Sequence, residues 1–191
     1  MDRKRLWRTI RLNLARNRNQ YVRDHHIFAA FGRGSKISMR VIPLYPELIS
    51  IGNNVIIAAK VTFVPHDIIH DMLNHLPASP DAADQPKYRE HIGCIRIDDN
   101  VFIGANTTIL ADVRIGSRVV VGAGSLVNKD LEGGYVYAGV PAKKICTFDA
   151  FLQKRRKTAQ YPAQFHRHGD SVDPAFAKWL WEDFQARHQE T

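Results

Sequence analysis

Cysteine is nearly absent from this chain: Cys94 and Cys146 are the only two in 191 residues. They are too few and too isolated for a disulfide framework, and their spacing matches no metal motif. That scarcity points to a cytoplasmic setting. Also missing is any run of about eighteen apolar residues, the length a membrane-spanning helix needs. The basic start, Met1-Asp2-Arg3-Lys4-Arg5, lacks the uninterrupted apolar stretch of a secretory signal. Acidic residues are scarce in the first 23 positions, where Asp2 stands alone against Arg3, Lys4, Arg5, Arg8, Arg11, Arg16, Arg18 and Arg23.

Leu6, Trp7, Ile10 and Leu14 recur among those cations at helical spacing, so residues 1–30 are expected to form a basic helical segment. The plainer use of such a helix is packing on a neighbouring subunit with its basic face solvated. The other is peripheral contact with an anionic membrane, at the inner face. No nucleic-acid-binding motif accompanies the charge, and nucleic acid is not expected as a partner.

What is present in quantity is a repeat. Ile97, Ile103, Ile109, Ile115, Val121 and Val127 return at every sixth position, and Ile51, Ile57 and Phe63 show the same phase upstream. A second register runs through Val55, Val61, Val101, Thr107, Val113, Val119 and Ser125. Neither a helix nor a simple strand has a period of six. A short flat strand plus a corner does, repeated around a triangular parallel β-helix. The apolar residue points inward, and the small residue that often follows it (Gly104, Gly116, Gly122) is expected to let the chain turn the corner.

The pattern divides the chain into residues 1–30, a repeat domain over 31–146, and a helical extension over 147–191. The repeat lapses between 69 and 95, where Pro77, Pro80 and Pro86 mark a long loop, and resumes in phase at Ile97. Beyond Lys144 the spacing turns helical, and Phe176, Trp179, Leu180 and Phe184 form an expected packing face.

The residues Ile51-Gly52-Asn53-Asn54-Val55, Val61-Thr62-Phe63-Val64-Pro65-His66-Asp67, Ile97–Ala105, Val121–Asp130 and Ala138-Gly139-Val140-Pro141-Ala142-Lys143 carry a resemblance. Over roughly residues 45–146 the chain resembles the hexapeptide-repeat acyltransferases. It is most similar to the galactoside, maltose and xenobiotic O-acetyltransferases and the related capsule-polysaccharide acetyltransferases. The resemblance implies a mainly β, left-handed parallel β-helix, a homotrimer with active sites between subunits, and acetyl-CoA as acyl donor.

His66 stands at the position of the family's general base, and histidine titrates where it can take a hydroxyl proton. Neither cysteine matches a family nucleophile and no Gly-x-Ser-x-Gly elbow occurs, so transfer is expected to be direct. By resemblance, the CoA arm passes Ala105, Gly122 and Ala123, and Lys129, Lys143 and Lys144 meet its phosphates. Tyr45, Glu47, Asp67 and Phe102 are the candidates for the acceptor pocket, with Asp67 serving equally well as a local cap. The long polar loop suits a carbohydrate acceptor, within a surface polysaccharide or its precursor. His66, His70 and His75 invite a zinc reading, as in a carbonic-anhydrase-like branch of the fold. His70 and His75 fall where the repeat phase has lapsed, so no metal is expected. A sugar-nucleotide N-acetyltransferase, a xenobiotic acetyltransferase and a non-enzymatic scaffold are the remaining alternatives.

Overall fold

A computed structural model describes residues 3–76, 87–157, 161–162, 164–165, 167–168 and 171–188. The centre of the long loop, residues 77–86, lies outside them. Two compact units are present, Met1–Leu152 and Gln153–Thr191.

The first unit opens with α1 (Arg3–Leu14) and α2 (Arg18–Asp24), the latter capped by Asn17, whose side chain accepts the Gln20 N–H at 3.1 Å. Parallel coils follow. β1 (Ala30–Phe31) and β2 (Lys36–Ile37) form an incomplete first turn. β3 (Ile49–Ile51), β4 (Ile56–Ile57) and β5 (Thr62–Val64) form the second. After α3 (Ile69–Asn74) and the loop come β6 (Ile95–Ile97), β7 (Val101–Ile103) and β8 (Thr108–Leu110), then β9 (Val113–Ile115), β10 (Val119–Val121) and β11 (Leu126–Val127). The strands stack into three sheets in the orders β1-β3-β6-β9, β2-β4-β7-β10 and β5-β8-β11, the three walls of a left-handed β-helix.

Register explains the six-residue period. Ile51 faces Ile97, which faces Ile115; Ile57 faces Ile103, which faces Val121; Phe63 faces Ile109, which faces Val127. Each column runs inside one wall, and every member is buried. Burying a side chain of this size stabilises the fold by about 2 kcal/mol, so the stacked columns are the core. Hydroxyls that fall at inward positions are bonded within the stack. Ser125 Oγ donates to the Gly122 carbonyl at 2.7 Å, and Ser35 Oγ to that of Gly52 at 2.7 Å.

The corners differ from the sequence expectation. The left-handed residues that turn the chain are Asn54, Lys60, Asn100, Asn106, Asp112 and Arg118, with φ between 52° and 59°, and Gly124 at 70°. Asn and Asp tolerate this region because their short side chains bond locally. Gly104 instead sits where the next coil leaves no room: a Cβ there would lie 2.4 Å from the Ala123 nitrogen. The small residues after the apolar ones permit stacking, and a different position makes the turn.

The stack is closed at both ends. Leu12, Val22 and Ile27, from the helical segment and the residue run after it, are buried at the first coil. At the other end β12 (Tyr135–Ala138) adds to β10, and β13 (Lys143–Thr147) returns antiparallel along β12. The chain is therefore still extended beyond Lys144, where the sequence pattern turns helical; α4 (Phe148–Lys157) begins only after that return strand.

The second unit holds a two-stranded antiparallel pair, β14 (Arg167–His168) and β15 (Ser171–Val172), and α5 (Pro174–His188). Phe176 is its buried centre, stacked on Phe165 at 5.0 Å and meeting Tyr161 at 4.8 Å and Trp179 at 6.4 Å. Leu180 and Phe184, expected on the same face, are exposed.

The apolar stripe of α1 faces away from the coils. Thr9 and Leu12 are buried, with Arg5 and Arg8 half-buried beside them, whereas Leu6, Trp7, Ile10 and Leu14 are exposed. Polar bonds to residues 40–42 fix this rotation. Arg5 Nε donates to the Ile42 carbonyl at 2.8 Å, Asn13 Nδ2 to that of Arg40 at 2.6 Å, and Thr9 Oγ1 accepts the Ile42 N–H at 3.3 Å.

Candidate active site

His66 follows β5 and is held by the two arms of the long loop. Its backbone forms an antiparallel bridge with Ile92. On either side, the Gly93 N–H donates to the Pro65 carbonyl at 2.8 Å, and the Asp67 N–H to that of His91 at 3.0 Å. Farther out, the Asn74 side chain donates to the Tyr88 carbonyl and accepts the Tyr88 N–H, both at 2.9 Å. The loop thus leaves and re-enters through a bonded neck, and the histidine sits in the neck.

The imidazole is half-buried. Its Nδ1 is buried and, among the described residues, has no hydrogen-bond partner. Such an atom is costly to leave unmatched. The ring meets that of Tyr45 edge-on, with centroids 5.2 Å apart. The Tyr45 hydroxyl donates to Glu90 at 3.4 Å. Desolvation, followed by the Glu90 carboxylate, raises the phenol above its ordinary value, so it stays protonated at neutral pH.

Tyr45 enters this position because it turns the chain into the short 3₁₀ helix Pro46–Leu48, with φ 48°. Glu47 is exposed on that turn. Asp67 Oδ1 accepts the Ile69 N–H at 3.0 Å, a local cap. Glu90, His91 and Asp112 join the neighbourhood without having been singled out in the sequence. His91 Nε2 lies 2.9 Å from Asp112 Oδ2, which props the returning arm on a corner of the coils. Asp112 belongs to the left-handed corner series, a signal present in the repeat. Glu90 lies in the loop, where no periodicity marks it.

The remaining candidates fall elsewhere on the prism. Ala105 and Ala123 stack at the corner between the β7/β10 wall and the β8/β11 wall, where the Gly124 N–H donates to the Ala105 carbonyl at 2.8 Å. Gly122 adjoins them, and Ala123 is exposed. His66 lies past the other edge of the β5-β8-β11 wall. A three-residue strand is about 10 Å long, so the wall itself separates the two. Lys129 follows β11 on the His66 edge, while Lys143 and Lys144 open the return strand. Lys144 Nζ donates to Glu132 at 2.6 Å and lies 3.8 Å from the Tyr135 ring centroid. The hydrogen bond to Glu132 raises its pKa despite some desolvation. Phe102 is on the outer face of β7, exposed, lining a groove of about 390 Å³ with Ile56, Arg118, Val120 and Phe148. One chain therefore does not gather His66 with Ala105, Ala123 or Phe102.

Residues 95–129 match the bacterial transferase hexapeptide family (six repeats). Across 132 residues the chain is 36% identical to "Putative acetyltransferase YvoF" of Bacillus subtilis (strain 168), covering 68% of this chain and 66% of that protein. The chain belongs to the hexapeptide-repeat transferase family. It is also 29% identical over 143 residues to the galactoside O-acetyltransferase of Lactococcus lactis subsp. lactis (strain IL1403), covering 75% of this chain and 59% of that enzyme. The chain thus spans about two thirds or less of these two hexapeptide-family relatives. Among solved structures of the family's fold, galactoside acetyltransferase in complex with coenzyme A superposes with a TM-score of 0.53 at 23% identity. That match covers 87% of this chain and 88% of the other.

Proposed function

We propose that this hexapeptide-repeat protein is an acetyl-CoA-dependent O-acetyltransferase acting on a sugar hydroxyl of a surface polysaccharide or its precursor, working as a homotrimer with each active site between two copies. The observation that carries the reading is the separation of the two half-sites. His66 with Tyr45 stands at one edge of the β5-β8-β11 wall, and the small-residue column of Ala105 and Ala123 stands at the other. Rotational symmetry brings opposite edges of neighbouring copies together. The exposed Ala123 offers nothing beyond a Cβ, so the backbone there is open to the amide-bearing pantetheine arm. Lys143, Lys144 and, from the other edge, Lys129 are available to the phosphates.

In the reaction, His66 takes the proton of the acceptor hydroxyl as its oxygen attacks the thioester carbonyl. The tetrahedral oxyanion needs a backbone N–H donor, for which the Gly104-Ala105 corner is the candidate. Collapse breaks the carbon–sulfur bond, and the imidazolium returns the proton to the CoA thiolate.

Subunit complementation tests both function and assembly. His66→Ala removes the base, and Ala123→Trp fills the donor corner; each variant alone should release little CoA. Refolded together in equal amounts, about a quarter of the sites combine an intact His66 with an intact Ala123, and activity should return to about that fraction. Silence in the mixture, with both variants eluting as trimers, would place the whole site in one chain and sink the reading. A panel of sugars, amino sugars and oligosaccharides then separates hydroxyl from amine acceptors.

The outward stripe of α1 supports work at the inner face of the membrane. Trp7 is 60% and Leu14 79% exposed, beside Arg3, Lys4 and Arg11. Trp7→Ser with Leu14→Ser should weaken co-sedimentation with phosphatidylglycerol vesicles about tenfold. Unchanged sedimentation would assign the stripe to contact between copies.

A further inference from the structure

We propose that the groove between α1 and residues 42–47 binds an anionic substituent of the acceptor, a phosphate or a carboxylate, one side chain away from His66. The proposal rests on the transferase reading and narrows its substrate to acidic sugars.

The groove has a volume of about 310 Å³, and Lys4, Arg5 and Arg8 line it opposite Ile42, Tyr45 and Glu47. A cavity of this size suits a small organic ligand. The cationic wall is built into the fold. The bonds from Arg5, Thr9 and Asn13 to residues 40–42 hold α1 against the opposing segment, so the three cations are presented from a fixed helix face. Arg5 and Arg8 are half-buried, which strengthens their field relative to fully solvated charges. Among the described residues no carboxylate forms an ion pair with Lys4, Arg5 or Arg8, and Glu47 is the one acidic side chain on the lining. The groove therefore keeps a positive excess that a packing seam has no use for.

Tyr45 joins this groove to the chemistry. It lines the cavity, and its ring meets that of His66 at 5.2 Å. A sugar whose hydroxyl reaches His66 lies against Tyr45, and a substituent pointing away from the histidine enters the cationic space. Arg8 and Lys4 then meet an oxyacid by charge-assisted hydrogen bonds. Glucose 1-phosphate and glucuronate carry that chemistry from two sources, and glucose lacks it.

Calorimetric titration of the full chain with these three sugars reads binding whether or not transfer occurs, and CoA release is followed in parallel with the same acceptors. At least one of the two anions should bind ten or more times more tightly than glucose, and which of them does so identifies the source. The margin should vanish in Lys4→Ala/Arg8→Ala, persist in Arg8→Lys, and shrink in wild type as salt rises from 50 to about 500 mM. The salt series decides the matter even if the double variant fails to fold. Equal affinity of wild type for all three sugars overturns the proposal, as does a margin that survives either salt or the double substitution. A binding margin without CoA release from any acceptor would sink the transferase reading and leave the anion site standing.

Discussion

Replacing His66 with alanine should lower acceptor-dependent CoA release by about 10²–10⁴, the range a positioned general base contributes. On the proposed mechanism the loss should fall on kcat, since there the imidazole moves a proton and other residues hold the donor. CoA affinity should therefore stay within about twofold of wild type, because in the proposed site the donor is held by the Ala105 and Ala123 corner and the lysines, while the imidazole serves the acceptor hydroxyl. Folding should also survive. The neck around residue 66 is bonded through backbone groups of Pro65, Asp67, His91 and Gly93, and these do not depend on the ring. Among the described residues the ring's Nδ1 makes no bond that alanine would break. His66→Asn is the companion variant, because it keeps a polar side chain but supplies no base near neutral pH. Stopped-time assays of free thiol, with each variant's oligomeric state checked, measure the effect. Asparagine activity near wild type would show that orientation, and no proton transfer, is what position 66 provides.

Adding one methyl group at Gly104 should destabilise the protein by about 3 kcal/mol or more, the upper end of what overpacking costs. The new Cβ would lie 2.4 Å from the Ala123 nitrogen and 2.7 Å from the Ala123 Cα. Those atoms are backbone, so relief requires one coil to lift from the next and loosens the strand pairs β7–β10 and β8–β11 on either side of the corner. Gly124→Ala is the informative contrast. Nothing lies within 4 Å of a Cβ built there, but φ is 70°, so the cost is conformational strain of about 1–2 kcal/mol. Urea unfolding of the two variants should separate them by more than about 1 kcal/mol in that order. Equal midpoints would mean that the coils are not stacked as tightly at residue 104 as the register implies.

The contrast between these glycines also marks how far the sequence could be read. The inward columns were legible, because an apolar residue every sixth place has one geometric meaning, and Ile97, Ile103 and Ile109 face the interior as that period requires. Which residue makes the corner was not, since Gly104 and Gly122 look like turn formers while Asn100 and Asn106 do the turning. The rotation of α1 escaped for a similar reason. Its apolar stripe marked a contact face for a neighbouring subunit or a membrane, and nothing in the spacing showed that three polar bonds to residues 40–42 turn Thr9 and Leu12 toward the coils. The place of His66 at the mouth of the long loop could be read from its motif. Glu90 could not, because it reaches Tyr45 from a loop in which no period survives.

The way the prism ends has a consequence for the cell that makes it. A coil whose top edge is free is a ready template for the bottom edge of another molecule, and nothing in a repeated unit says when to stop. The antiparallel course of β13 removes that invitation: it reverses the direction of pairing and presents Lys143 and Lys144 on the outermost strand. At the opposite pole the helical segment lies over the first coil. Length is thus decided by two terminators, which cover the coil edges that would otherwise let molecules add end to end.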